Sequence, residues 1–188
     1  MRLLHIGTLV LSLALTACGG GGGGGSSSGP VTSTNTFDIR SGYTRLSASG
    51  FSKTLTVSGT CTGSFSLTSG AATTSTTFEG VAAFSGSSVA TLTLSNCTPA
   101  SNVSTTTRYF DTNYAPIGYN IVSGDYGVWA ATPTLPVAAK VGDVAVVGTI
   151  YKYTNSTKST SAGKQENSFV IEADTATTAI ANLISKTY

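Results

Sequence analysis

Residues 109–129 hold the densest group of side chains in this sequence that could bind a ligand. Six aromatic residues alternate there with carboxylates and amides. Aromatic rings stack on sugar rings or anchor protein interfaces, and neighbouring carboxylates and amides can hydrogen-bond hydroxyl groups. We therefore interpret the following residues as a candidate binding surface: Tyr109, Asp111, Asn113, Tyr114, Tyr119, Tyr126 and Trp129. The alternative is that these aromatic residues fill a small sheet core and place their hydroxyl groups at its rim.

The scarcity of histidine limits the catalytic chemistry. The chain has one histidine, His5, and it lies in an N-terminal segment with the features of a secretory signal. The rest of the chain therefore lacks the histidine that Ser–His–Asp sites, Cys–His sites and histidine-ligated metal centres require. We expect no catalytic residues, no metal and no cofactor.

The eight Asp and Glu residues are the remaining catalytic option. A glycosidase needs two carboxylates about 5–9 Å apart across a cleft. Asp125 and Asp143 each follow a glycine, a pattern typical of turns. Asp111-Thr112-Asn113 begins like a calcium loop but has no closing glutamate, and an Asx-turn explains it as well. A non-catalytic domain is the expectation, and a carboxylate-dependent hydrolase acting on glycan is the alternative.

The charge of the chain argues against nucleic acid as a partner. Charged residues make up only 10% of the sequence, and the formal net charge is +2. The lysines and arginines are scattered, so the sequence has no basic stripe that could follow a phosphate backbone.

Residues 1–17 have the pattern of a secretory signal. Arg2 provides the positive charge, and the apolar run that follows is too short to span a bilayer as a mature helix. Leu15-Thr16-Ala17-Cys18 then resembles the lipobox of bacterial lipoproteins. The resemblance implies cleavage before Cys18, acylation of its thiol and amine, and attachment to the membrane through this lipid anchor. Gly19, in place of an acidic residue, implies the outer membrane, with the periplasmic or surface-exposed orientation left open.

The other two cysteines are expected to pair. If Cys18 carries lipid, Cys61 and Cys97 remain as an even pair, and an oxidising periplasm favours a disulfide between them. A zinc site is excluded because two cysteines without histidine cannot complete the metal's shell.

The remaining sequence predicts a tether followed by one β domain. Residues 18–36 are rich in glycine and serine and should form a flexible, lipid-anchored tether. Residues 37–188 alternate apolar with Ser and Thr residues, which predicts an all-β domain: a single antiparallel β-sandwich of about ten short strands, with a meandering barrel-like sheet as the alternative. We find no helical period beyond the signal. The run VAVVGTIYKY predicts a central strand covered on both faces.

These observations predict a non-catalytic binding or scaffolding domain at the surface of the bacterial envelope. Its expected partners are the membrane, through the lipid anchor, and either a glycan or an envelope protein.

Overall fold

A computed structural model describes residues 12–15 and 33–188 of the chain. Residues 1–11 and 16–32 of the predicted signal and tether, which include Arg2, His5 and Cys18, lie outside the described residues. The described elements are, in chain order, β1 (Ser12–Leu15), α1 (Ile39–Ser49), β2 (Phe51–Val57), β3 (Gly63–Ser69), β4 (Thr74–Phe78), β5 (Val81–Leu94), β6 (Ser101–Phe110), β7 (Pro116–Ile121), β8 (Tyr126–Trp129), β9 (Val144–Tyr153), β10 (Ser161–Ala173) and β11 (Ala179–Thr187). The protein is therefore mostly β, with one short helix among these residues.

The strands form one antiparallel, meandering sheet. Its order is β1-β11-β10-β9-β8-β7-β6-β5-β3-β2, and β4 pairs with β5 beside this path. In the described residues no pairing joins β1 to β2, so the sheet is open. The predicted β-sandwich is wrong, because all the described strands join one antiparallel sheet, most of them beside a sequence neighbour. The alternative of a meander is correct in its connectivity, but the sheet does not close into a barrel.

Strand β1 lies within the predicted signal segment. It pairs antiparallel with residues 179–182 of β11, at one edge of the sheet. Strand β2 forms the other edge and pairs only with β3 along the order given above.

Helix α1 corrects the expectation that the domain contains no helix. Asp38 caps its N-terminus, and the Asp38 carboxylate accepts hydrogen bonds from the backbone N–H of Ser41 at 2.9 Å and from its hydroxyl at 2.7 Å. Gly50 ends the helix with φ near 72°, and its N–H donates to the carbonyl of Leu46. Both ends of the helix are thus specified locally.

The interior of α1 depends on tertiary packing. Ile39, Tyr43 and Leu46 recur at helical spacing and lie on one face, whereas the remaining positions are mainly Ser, Gly, Thr and Arg. An eleven-residue helix of this composition is too short to be stable alone. Among the described residues, no helix is both long enough and apolar enough to cross a membrane.

The helix covers one face of the sheet, which we call the helix-side face. A cluster of buried residues lies there: Phe37, Ile39, Ala139, Phe169, Ile171, Ala179 and Ala181. Phe37 and Ala139 form an isolated β-bridge, with N–H to carbonyl distances of 2.7 and 3.0 Å in the two directions. This bridge ties the chain that enters α1 to the loop after β8, and both are held over β10 and β11.

The opposite face carries its own cluster, which we call the opposite-face cluster. Phe78, Ala83 and Tyr126 are its buried members. Phe78, at the end of β4, stacks on Tyr109 with ring centroids 4.3 Å apart and lies directly over Gly118. A side chain at Gly118 would collide with the ring of Phe78, so glycine at this position lets the β4–β5 hairpin fold onto the sheet.

The prediction for strand β9 is wrong in its first half. Val144 and Val146 are 68% and 79% exposed, whereas Ile150 is buried. Because the described strands form a single sheet, none of them covers the opposite face at this end of β9.

The predicted disulfide is confirmed. Cys61 and Cys97 are bonded, with Cα atoms 5.6 Å apart, and join the β2–β3 turn to the connection between β5 and β6. Asn96 reinforces this junction, because its side-chain oxygen accepts from the N–H of Thr62 at 2.7 Å and its amide donates to the carbonyl of Thr60 at 2.9 Å.

Replacing both Cys61 and Cys97 by serine should lower the free energy of unfolding by roughly 3–4 kcal/mol, because the bond closes a loop over a sequence separation of 36. Urea denaturation monitored by circular dichroism measures this change. Wild-type protein treated with a reducing agent should approach the midpoint of the double variant. An unchanged midpoint after reduction would contradict a stabilising role for the disulfide.

Candidate functional site

An open cleft of about 600 Å³ lies between α1, the turn after β6 and the loop after β8. We call it the outer cleft. Its lining residues are Arg40, Tyr43, Thr44, Asp111, Asn113, Tyr114, Ala115, Pro116, Pro133, Thr134 and Leu135. Aromatic, acidic, amide and guanidinium groups therefore meet around one concavity.

A smaller, partly open cavity of about 120 Å³ lies between α1 and the helix-side face. We call it the inner cavity. Its walls are mostly aliphatic and aromatic, and Asn167 and Ser185 contribute side chains that bear polar groups. Tyr43, Pro116 and Leu135 line both spaces, so these three residues form the boundary between the outer cleft and the inner cavity.

The turn at Asp111 shapes one side of the outer cleft. The Asp111 Oδ1 atom accepts hydrogen bonds from the N–H groups of Asn113 at 2.8 Å and Ala115 at 2.9 Å. Tyr114 takes a left-handed conformation with φ near 63°, and its N–H donates to the carbonyl of Asp111 at 3.0 Å. These bonds form an Asx-turn, and no group of His, Cys, Asp and Glu in the described part of the chain could hold a metal ion.

Aromatic contacts connect this turn to the helix. Tyr114 stacks on Phe84 with ring centroids 5.3 Å apart. Phe110, which is 1% exposed, lies between Tyr114 and Tyr43, with ring centroids 6.4 and 6.3 Å away. The buried Phe110 ring therefore sets the separation of the two walls of the outer cleft.

A guanidinium lies behind these rings. Arg108 Cζ is 5.2 Å from the centroid of Phe110, and Nη2 donates to the carbonyl of Gly70 at 3.2 Å. Desolvation lowers the pKa of Arg108, whereas burial raises the pKa of Tyr43 to about 12. At neutral pH Tyr43 is consequently an uncharged phenol.

Arg40 links the helix to the loop after β8. Its Nε donates to the carbonyl of Leu135 at 3.2 Å, and its backbone N–H donates to the carbonyl of Pro136 at 3.1 Å. These two bonds hold the loop against the first turn of α1 and so complete the third wall of the outer cleft.

The structure divides the seven residues of the predicted binding surface among separate locations. Asp111, Asn113 and Tyr114 line the outer cleft, and Trp129 lines the inner cavity. The remaining three lie away from both spaces: Tyr109, Tyr119 and Tyr126. Because side chains alternate between the two faces of a strand, neighbours in the sequence separate across the sheet.

The three remaining tyrosines have structural contacts. Tyr109 and Tyr126 pack in the opposite-face cluster. Tyr119 lies over Gly127, where a Cβ atom would collide with its ring. Burial and the nearby charge of Asp125 raise the pKa of Tyr119 to about 12.

Sequence reasoning missed the contribution of α1 to the outer cleft. Arg40, Tyr43 and Thr44 all come from this helix. The available signal was the helical spacing of Ile39, Tyr43 and Leu46 between a capping aspartate and a glycine. Asn167 had no comparable signal, because a polar residue in a strand is more often exposed.

In comparisons with protein-family models, curated proteins and solved structures, nothing matches this chain. Its function is therefore inferred from its own residues and their geometry.

Most carboxylates outside the outer cleft have structural partners. Asp125 pairs with Lys152 at 2.6 Å, and Glu166 pairs with Lys164 at 2.7 Å. Asp111 is the sole carboxylate among the residues that line the outer cleft and the inner cavity. Neither space therefore presents the pair of acids that a glycosidase uses.

The carboxylate of Glu79 makes both an ion pair and a hydrogen bond to a buried tyrosine. Its carboxylate accepts from the ammonium of Lys158 and, at 2.6 Å, from the hydroxyl of Tyr126. The hydrogen bonds from Lys158 and Tyr126 lower the pKa of Glu79, while burial and the bond to Glu79 raise the pKa of Tyr126. Glu79 thus holds the tip of the β4–β5 hairpin to β8 and to the loop after β9.

The variant Glu79→Gln should be less stable than wild type by about 1 kcal/mol at pH 7, since a charged acceptor is lost from both bonds. A lowered folded-state pKa stabilises the protein above the unfolded value of 4.5. That contribution disappears as the pH falls through the folded-state pKa, so the two proteins should converge in acid. Urea denaturation at pH 7 and pH 3 measures the difference.

Glu172→Gln is the matched control, because Glu172 is an exposed strand residue and should give no pH-dependent difference from wild type. A stability gap between Glu79→Gln and wild type that stays constant from pH 7 to pH 3 would contradict the assignment.

Proposed function

We propose that this chain is a lipid-anchored protein of the bacterial envelope whose β domain binds a glycan in the outer cleft without catalysing a reaction. The observation that carries the proposal is the composition of that cleft. Tyr114 supplies an aromatic ring, Asp111 and Asn113 supply acceptors and donors, and Arg40 supplies a guanidinium around one concavity. A volume of about 600 Å³ is in the range of small-molecule sites.

The polarity of the cleft favours a sugar over an apolar ligand. Thr44 and Thr134 add hydroxyl groups to its walls, beside the amide of Asn113. Hydroxyls and amides can donate and accept, which suits a ligand that presents many hydroxyl groups. The Asx-turn holds the backbone around Asn113 and Tyr114 in one conformation, which reduces the entropy lost when a ligand binds.

Binding without catalysis is favoured over the alternative of a carboxylate-dependent hydrolase. Asp111 has no second carboxylate opposite it in the outer cleft. Its Oδ1 atom already accepts two backbone N–H groups, so this carboxylate serves to hold the turn.

The strand directions are consistent with a ligand near the membrane. Four antiparallel pairings separate β6 from β10, so the two strands run in the same direction and their following turns lie at one end of the sheet. Ser33 and Asn35 both donate to the carbonyl of Ala176 in the turn after β10. The proposed tether therefore meets the domain at the same end as the Asp111 turn, and a Gly/Ser chain of this length reaches roughly 20 Å on average.

The variant Asn113→Ala tests the outer cleft. It removes the side-chain amide but keeps the backbone N–H that bonds to Asp111, so the turn should persist. On a glycan array, we expect the wild-type protein to bind a restricted set of glycans and the variant to bind them at least about tenfold more weakly.

Asn102→Ala, at an exposed position of β6, is the matched control and should bind like wild type. Equal binding by Asn113→Ala and wild type would remove the outer cleft as the site. Absence of any glycan bound by the wild-type protein would contradict the proposed function itself.

The variant Cys18→Ala tests the lipid anchor. Without the acceptor thiol, the protein should incorporate no labelled palmitate and should move from the membrane fraction to the soluble fraction. The double variant lacking Cys61 and Cys97 is the control and should still take up the label. Labelled, membrane-bound Cys18→Ala protein would contradict the proposed anchor.

A further inference from the structure

We propose that strand β2 is an interface on which a second copy of this chain pairs its own β2 antiparallel. The two sheets then continue into one across a twofold axis at Thr54. The occupant of the edge is thus the same strand, Phe51–Val57, of the second copy. This inference goes beyond glycan binding in the outer cleft, and it depends neither on that binding nor on the lipid anchor.

Strand β2 presents an open edge of the sheet. Among the described strands it pairs only with β3, whereas β11 at the other edge also pairs with β1. On the side away from β3, the backbone N–H and C=O groups of β2 therefore have no strand partner in the described part of the chain. Residues 52–56 are exposed to solvent. Such a row of backbone groups is a template for an added strand.

Strand β2 has few of the features that protect sheet edges from pairing. Natural edge strands are often very short, or carry a proline, a bulge or several charges. Strand β2 has seven residues, FSKTLTV, with no proline, and it pairs with β3 without a shift in register. Lys53 is its sole charged residue. An edge of this length and regularity is suited to pairing with another strand.

The sequence of β2 complements itself. In an antiparallel pair, residues directly opposite each other lie on the same face and their side chains make contact. A pair centred on Thr54 aligns all seven residues of both strands. It places apolar residues opposite apolar ones and hydroxyl groups opposite hydroxyl groups: Phe51 with Val57, Ser52 with Thr56, and Thr54 with Thr54. Contacts of these kinds stabilise antiparallel sheets.

Lys53 favours this register over the neighbouring ones. A pair centred on Lys53 would place two ammonium groups opposite each other and would align only residues 51–55. A pair centred on Leu55 would align only residues 53–57 and leave Phe51 without a partner. In the pair centred on Thr54, each Lys53 faces Leu55 of the second copy. Leu55 is 46% exposed, and the methylene stem of a lysine can cover it.

The inner side of β2 holds the strand in an extended conformation. Leu55 lies opposite Phe65 in β3, and Phe65 lies opposite Leu92 in β5. The disulfide between Cys61 and Cys97 ties the β2–β3 turn to the connection after β5. A strand that is already ordered loses little conformational entropy when a second copy pairs with it.

Disulfide cross-linking of the full chain tests the register. Every variant also carries Cys18→Ala, so that the introduced cysteine is the sole thiol outside the Cys61–Cys97 bond. Directly opposite Cα atoms in an antiparallel pair are about 4.5–5.5 Å apart, which a disulfide can span. We expect Thr54→Cys to form a covalent dimer under mild oxidation, because each Thr54 faces its own copy.

Ser52→Cys and Thr56→Cys are the matched controls, because both positions are exposed and lie on the same face of β2 as Thr54. Across the proposed pair, each lies about 13 Å from its own copy, since four residues separate the two along the strand. Neither variant should therefore cross-link alone. A mixture of the two should cross-link, because Ser52 faces Thr56 of the second copy.

Sedimentation velocity measures the association without a cross-link. Leu55→Lys places a second ammonium group opposite Lys53 of the other copy and should weaken dimerisation at least about tenfold. Adding Lys53→Glu to Leu55→Lys converts this contact into an ion pair and should restore the dimer. Val103→Lys, at an exposed position of β6, is the matched control and should dimerise like wild type.

A wild-type protein that stays monomeric throughout the sub-millimolar range would overturn the proposal, and this measurement stands even if a variant fails to fold. Cross-linking of Ser52→Cys alone, as efficient as that of Thr54→Cys, would also overturn it. Large, open-ended assemblies without a cross-link at Thr54 would mean that β2 pairs with β11 of another copy, which contradicts the twofold pairing.

Discussion

An open antiparallel sheet has two faces, and the apolar residues on both must be covered for the domain to be stable. In this protein two different elements supply the cover. Helix α1, with the loop after β8, lies over the helix-side face, and the β4–β5 hairpin folds onto the opposite face. The burial of Phe169 and Ile171 on one side and of Phe78 and Tyr126 on the other follows from this arrangement. The positions of the inner cavity and the outer cleft also depend on how the two faces are covered.

The two cavities result from the size of the helix. Eleven residues cover only part of a face built from long strands, so the inner cavity lies between the helix and the sheet and the outer cleft lies beside the helix. Buried Phe110 contacts Tyr43 on the helix and Tyr114 on the turn, so the walls of the cleft are held by ring packing. The site is thus a consequence of how the sheet is covered, with rigid elements on each side.

Polar groups on the helix-side face distinguish this interior from an ordinary apolar core. Arg108 and Asn167 each have a buried nitrogen atom without a hydrogen-bond partner, although both residues make other polar bonds. Such groups cost stability, and natural proteins tend to retain them at functional positions. The ion pairs Asp125–Lys152 and Glu166–Lys164 are partly exposed to solvent, so each stabilises the fold only slightly.

The sequence alone determined the features that depend on neighbouring residues or on the number of cysteines. Alternating residues predicted a mostly β domain, cysteine parity predicted the Cys61–Cys97 bond, and Asp111-Thr112-Asn113 indicated a turn. Tertiary structure decided that the strands form one sheet, because alternation marks a strand without naming its partner. It also decided which face each aromatic residue occupies, since a shift of one residue in register exchanges the two faces.

Neither helix α1 nor the outer cleft could be predicted from local sequence, because both depend on packing between distant residues. A short helix rich in Ser and Gly is stable only when its apolar stripe is packed, so its local signal was weaker than the surrounding strand pattern. Arg40 and Asp111 are far apart in the sequence and meet only because α1 lies over the end of β6. The sequence alone therefore identified three residues of the outer cleft, Asp111, Asn113 and Tyr114. Only the packing of the helix on the sheet added Arg40, Tyr43 and Thr44 opposite them.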